Sequence, residues 1–270
     1  MRMLSAADVS LDDLAGIFNN AFSDYYMDVY FTRDSLGDYV YRHGLDLQSS
    51  LVVEEDGYLV GLLLCGQDGR TMWNAGMGVH PRWRRKRLGS HLLDEWLRSM
   101  RGMGLSRALL EVIVQNLIAT NLYRSRGFRQ VRAYQGFEGR ANWQRGPAVL
   151  PDHVVEVRPH DLVPVYRKGH SWQKRPDVME RLDTFTGLMI DGSMAPEGSG
   201  YLIYENAMDL MYIFDATPNR AGRALLEHTV RRERPKLLRL VNAVDLLEED
   251  FYRGLGFRPW IRNTEMVLQL

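Results

Sequence analysis

Residues 77–128, MGVHPRWRRKRLGSHLLDEWLRSMRGMGLSRALLEVIVQNLIATNLYRSRGF, govern how the rest of the chain is read. An apolar strand ends at Val79, a turn follows at His80-Pro81, and five of the six positions from Arg82 to Arg87 are basic. A helix is expected next, with Leu88, Leu92, Leu93, Trp96, Leu97 and Met100 on one apolar stripe, so that one side packs on a sheet. LLEVIV reads as a buried strand, and Asn116 opens a second short helix that carries Tyr123 and closes at Gly127-Phe128. A basic loop entering a helix N-terminus holds phosphate, because the first helical N–H groups lack intrahelical partners and the macrodipole is positive there. The sequence at Arg84–Ser90 therefore points to a bound diphosphate.

Three motifs in order, Val79-His-Pro81, Arg84-Arg-Lys-Arg-Leu-Gly89 and Asn116-Leu-Ile-Ala-Thr-Asn-Leu-Tyr123 closing on Gly127-Phe128, resemble the GNAT superfamily of acetyl-CoA-dependent N-acetyltransferases. The resemblance implies an α/β (α+β) fold, a mixed and mostly antiparallel sheet flanked by helices. It also implies a bound acetyl-CoA (CoA). The diphosphate would lie on Arg84, Arg85, Lys86, Arg87, Leu88, Gly89 and Ser90, the pantetheine arm beside Met77, Gly78 and Val79, and its amides near Asn116. Tyr123 would serve the leaving thiolate, a phenol near pKa 10 being close to the thiol's own range. One position departs from the pattern: the first loop glycine of the family is Arg87 here, and the expectation is that this position does not depend on a glycine-only backbone angle.

At 270 residues the chain exceeds the roughly 150 of one such fold and fits two domains. Loop-like residues Gly136, Gly139, Gly146 and Pro147 put the boundary near 150, giving domains 1–150 and 151–270. The second half parallels the first: Pro218-Asn-Arg-Ala-Gly222, then LLRLVNA, then Phe251-Tyr252-Arg-Gly-Leu-Gly256-Phe257. Three residues separate its proline from the aligned glycine, against seven in the first copy, so the expectation is a degenerate GNAT-like copy without a cofactor site.

Apolar content of 45%, charged content of 25% and zero formal charge are those of a soluble globular protein with no global field toward nucleic acid or membrane. Cys65 is the single cysteine, so no intrachain disulfide forms, and its GLLLC setting marks an inert core thiol. No apolar run approaches a membrane span, and a cytoplasmic protein is expected.

Upstream, Ser10 caps a first helix, and LVVEEDGYLVGLLLCG is a hairpin about Asp56-Gly57, with Gly61 a bulge or close-approach point. The glycines of TMWNAGMGV mark either a ligand approaching the backbone or an ordinary bulge. Between helix and hairpin, SDYYMDVYFTRDSLGDYV mixes Tyr25, Tyr26, Tyr30 and Phe31 with Asp24 and Asp28. Aromatic faces beside carboxylates suit a cationic amine, with Tyr26, Tyr30 and Phe31 as substrate contacts; the alternative is a second helix whose aromatics pack on the core.

The expected chemistry is transfer of an acetyl group to an amine of a small molecule or peptide by direct attack on the thioester. Strand amides near Val79 would polarise the carbonyl. The base stays open among Glu111, Asp28 and a water relay; His80 and His91 read as solvent-facing. Two other classes remain: a non-catalytic acyl-CoA sensor or regulatory module, and a nucleic-acid contact through Arg82–Arg87, which the strand-to-helix setting disfavours. The acceptor and the oligomeric state are not readable.

Overall fold

The computed structural model describes residues 1–140, 154–166, 171–190, 198–243 and 246–270. They divide into two compact units, Met1–Arg132 with Thr264–Leu270, and Ala133–Asn263. The boundary expected near 150 lies outside the described residues.

The first unit opens with β1 (Arg2–Ser5) and α1 (Leu11–Ala21), followed by α2 (Arg33–His43), β2 (Leu51–Glu55), β3 (Tyr58–Asp68) and β4 (Thr71–Val79). Then come α3 (Leu88–Gly102), β5 (Arg107–Ile113), α4 (Leu117–Ser125) and β6 (Arg129–Gly139), whose last residues belong to the second unit. Ser10 caps α1 through its hydroxyl, which accepts from the Asp13 N–H, so the start expected from sequence is the start observed. Asp56 and Gly57 both have positive φ, 51° and 78°, the backbone sense that matches a two-residue hairpin turn to the twist of β2 and β3. Register slips beside Val53 and Gly61, and the Val60 carbonyl there accepts from the His80 N–H at 2.9 Å, which pins the exit of β4.

The strands run β1-β2-β3-β4-β5, and the C-terminal residues of β12 (Arg258–Gln269) follow β5. Pairing is antiparallel from β1 to β4 and parallel between β4 and β5. Alternation along β3 sends Leu62 and Leu64 to the core under α1, and Leu63 and Cys65 to the core under α3. The apolar stripe of α3 is buried as its spacing predicts, Trp96 and Leu92 completely.

The second unit holds β7 (Val154–Val157), α5 (Pro176–Met179), β8 (Thr186–Ile190), β9 (Gly200–Ala207), β10 (Leu210–Ala216), α6 (Arg220–Glu233), β11 (Leu237–Ala243), α7 (Leu246–Gly254) and the first half of β12. Strand order is β6-β11-β10-β9-β8-β7, with β12 on the other side of β6. The internal repeat is visible in the pairing: β10 runs parallel to β11 over Leu210–Ile213, as β4 does to β5 over Thr71–Asn74. Gly127 and Gly256 close the matching helices α4 and α7 with φ of 90° and 82°. No helix among the described residues is long and apolar enough to cross a membrane.

Candidate functional site

Strands β4 and β5 stay paired only as far as Asn74 and Leu110, although β4 continues to Val79 and β5 to Ile113. The register of β4 against β3 shifts at the same level, between Leu64 and Cys65, where one extra residue of β4 bulges out. Past that point the two strands part, and backbone groups of β4 on the β5 side lose their ladder partners. The stretch of β4 beyond that point is Ala75–Val79, which includes Met77, Gly78 and Val79.

A Cβ at Gly78 would sit 2.8 Å from Ala21 Cβ and 2.9 Å from Phe22 Cε2, so the approach of helix α1 by itself requires a glycine there. Gly76 likewise faces Phe18, at 3.3 Å. These glycines let α1 approach β4.

Beyond Val79 the chain makes a 3-10 turn, Pro81–Trp83, whose start is capped by His80 Nδ1 accepting from the Arg82 N–H. Arg85 and Arg87 both have φ of 62°, with Lys86 of ordinary sign between them. The expectation that Arg87 avoids the glycine angle is thus corrected: it adopts that angle at a cost of about 1–2 kcal/mol for a residue with a Cβ. Alternation of backbone hand turns successive N–H groups inward, an anion-binding concavity. Helix α3 then begins at Leu88 with Arg87 as its N-cap, no side chain capping it and no acid in its first turn. The amides of Leu88, Gly89 and Ser90 have no partner inside the helix, since the first intrahelical bond is that of His91 to Arg87.

The basic side chains have separate tasks. Lys86 lies over the Trp83 ring at 4.2 Å, and Arg82, Arg85 and Arg87 are exposed. Arg84 is spoken for: its guanidinium grips both oxygens of Asp24 at 2.6 and 2.7 Å and donates to the Val79 and Ala21 carbonyls, each at 3.0 Å. Asp24 therefore does not offer its carboxylate to an amine, and the Arg84 contact holds that carboxyl below its usual range.

Asn116 caps α4, its Oδ1 accepting from the Ala119 N–H at 3.1 Å, and its side chain lies beside the Tyr25 hydroxyl. Tyr123 projects from α4 into the core shared with α3, 6% exposed, with its ring 5.8 Å from Phe128. Burial pushes its hydroxyl well above the ordinary phenol range; Tyr25 adds to the rise and the Asn74 side chain works against it. A hydroxyl in this setting stays neutral at ordinary pH and is suited to donate a hydrogen bond. Asn74, fully inside β4, accepts from the Gly76 N–H through Oδ1, while its Nδ2 points toward Tyr123 with no partner at hydrogen-bond distance. A polar residue inside the apolar strand TMWNAGMGV is the one sequence signal for Asn74.

The proposed substrate contacts separate. Phe31, half-buried just ahead of α2, packs on Phe18 at 4.9 Å and on Tyr39 at 5.2 Å, with its backbone clasped both ways by Asn19. Tyr30 is 77% exposed and lines a cavity of about 380 Å³ with Asn19, Asn20, Tyr25, Met27 and Asp28. Tyr26 does not line it; its hydroxyl donates to the Gln115 carbonyl at 3.1 Å. On β5, Ala108, Leu110 and Val112 join the core under α3, so alternation puts half-buried Glu111 on the opposite face of the sheet from Tyr123. His91 is exposed and His80 is occupied as a cap. No cluster of His, Cys, Asp and Glu among the described residues suits a metal ion.

The residues present fit a CoA diphosphate and pantetheine arm: helix-start amides of α3 without intrahelical partners, a loop with two positive-φ arginines, β4 and β5 unpaired beyond Asn74 and Leu110, and a buried Asn74 amide at the level where they part. Residues 11–128 match the profile of the acetyltransferase (GNAT) family. No curated protein sequence matches the chain significantly. Among solved structures, a tandem GNAT protein from the clavulanic acid biosynthesis pathway superposes with a TM-score of 0.71 at 15% identity, covering 99% of this chain and 97% of its own. A GCN5-related N-acetyltransferase from Sphaerobacter thermophilus gives 0.68 at 15% identity, over 99% and 95%. A protein from Pyrococcus horikoshii described as an acetyltransferase gives 0.67 at 15% identity, over 100% and 89%. At such identities the likeness is one of fold.

Proposed function

We propose that the chain transfers an acetyl group from acetyl-CoA to an amine through its first unit; residues 11–128 match the profile of the GNAT acetyltransferase family, and the chain as a whole shares its fold with a tandem GNAT protein. The observation that carries this reading is the uncapped start of α3 behind a loop whose amides turn inward, opening beside the parted ends of β4 and β5. Amides of Leu88, Gly89 and Ser90 hold the diphosphate, with charge from Arg85 and Arg87. Bound acetyl-CoA would supply the acyl group as an activated thioester. Backbone amides of Met77–Val79 fix the pantetheine arm and polarise the carbonyl, Asn74 and Asn116 offer side-chain amides to the same arm, and the Tyr123 hydroxyl donates to the sulfur as charge gathers there.

The acceptor amine enters from the opposite face of the sheet, where Glu111 takes its proton and the cavity beside Tyr25, Asp28 and Tyr30 receives the remainder of the molecule. The second unit has no equivalent cradle in this proposal. The Gly222 N–H at the start of α6 is already taken by Asn219 Oδ1 at 2.9 Å, and a Cβ on Gly222 would fall 1.9 Å from the Thr217 carbonyl. Calorimetry with acetyl-CoA, then thiol release over a panel of amines, tests the proposal. No heat with either acetyl-CoA or CoA sinks it; heat without turnover leaves an acyl-CoA sensor in its place.

A further inference from the structure

The side chain of Arg84 is used up inside the protein, at the very position where a free cation would be expected to meet phosphate. Its four hydrogen bonds reach three separate pieces of chain: the end of β4 at Val79, the end of α1 at Ala21, and Asp24 just beyond α1. The residues after Asp24 reach another part of the unit: Tyr25 lies beside the Asn116 side chain, and Tyr26 donates to the Gln115 carbonyl at 3.1 Å, both beyond the end of β5. Residues 24–26 thus run from the exit of β4 to the exit of β5, across the gap where those strands part. Tyr25 is also a wall of the 380 Å³ cavity and a neighbour of the Tyr123 hydroxyl.

We infer that Arg84 is a positioning residue that ties the diphosphate loop to the Asp24–Tyr26 segment and thereby sets the acceptor cavity against the thioester. This rests on the transferase reading above. Arg84 serves through its backbone on one side and its guanidinium on the other, so the part of the chain that takes the cofactor and the part that takes the amine are held by one residue. An arginine is needed because its planar fork meets both oxygens of Asp24 and still offers Nε and a second Nη2 proton to carbonyls. Lysine keeps the charge and loses the fork.

Asp24→Asn and Arg84→Lys, each alone and combined, separate this role from a merely structural one. With the tie in force, both single variants keep CoA affinity within about twofold by calorimetry, because the α3 amides are untouched. Both lower kcat/KM for the acceptor roughly tenfold or more, chiefly through KM, and the double variant is no worse than the poorer single, as for residues acting through one contact. Amide hydrogen exchange over residues 22–31 speeds up in each variant while the remainder of the first unit keeps its protection. An unchanged acceptor kcat/KM, multiplying effects in the double variant, or unaltered exchange over 22–31 overturns the inference. Wild-type chain that turns over no amine would count against the transferase reading, and the exchange measurement would still decide the tie.

Discussion

Tyr123→Phe removes one oxygen from a side chain that is 6% exposed, and the structure gives the expected size of both its effects. The ring stays and keeps its contact with Phe128. The polar group nearest the lost hydroxyl, Asn74 Nδ2, already lacks a partner at hydrogen-bond distance, so the change strands no new donor and stability should move by less than about 1 kcal/mol. The effect on turnover is larger. A hydrogen bond to a sulfur that is gathering negative charge is worth about 1.5–3 kcal/mol, which is roughly ten- to hundredfold in kcat. The sulfur of the bound thioester is neutral, so CoA affinity should hold within about twofold. Because burial keeps the phenol neutral well beyond its ordinary range, the wild-type rate should show no fall near pH 10 that the Phe variant lacks. Steady-state thiol release at saturating acceptor, calorimetry with CoA and a thermal melt measure the three quantities. A kcat within threefold of wild type, or a loss of CoA affinity in step with kcat, refutes the role given to Tyr123.

Other variants probe the scaffold around it. Gly78→Ala should cost about 1–3 kcal/mol in denaturant unfolding, since its methyl would press on Ala21 and Phe22 of α1; a neutral result would mean that the glycine is there for a ligand after all. Arg87→Gly should not destabilise the fold, because it relieves the left-handed angle, yet should weaken CoA by removing a cation; a drop in melting temperature contradicts the strain argument. Glu111→Gln should lower kcat with an amine acceptor while leaving CoA affinity unchanged, and an unaltered kcat moves the base elsewhere. Burial pushes the Cys65 thiol up to about 11 from an ordinary value of 9.0, so its contribution to stability is complete below the unfolded value and is lost as pH rises from about 9 to 11. That loss is at most about 1.4 kcal/mol per pH unit, and Cys65→Ala should flatten the slope in alkaline unfolding curves.

The apolar stripe of α3, the Ser10 cap, the Asp56-Gly57 turn and the pair of glycines closing α4 and α7 were all legible from residue order, because helix period, capping oxygens and positive-φ turns are properties of a few consecutive residues. Family motifs read along the same stretch carried the diphosphate loop and the fold. What sequence could not yield were the partnerships. The Arg84 side chain is bound to Asp24, sixty positions away, and Phe31 is packed on Phe18 and Tyr39. Gly78 is a seat for α1, and Tyr123 takes its raised pKa from burial that no neighbour in sequence reveals. The chain's order alone determined which segments coil, which extend and where a helix begins with its first amides uncapped, since those depend on local backbone geometry. Which charges are spent internally, which aromatics face the cavity and how strongly the phenol keeps its proton were decided by the tertiary structure, because desolvation and ion pairing act through space between segments that only folding brings together.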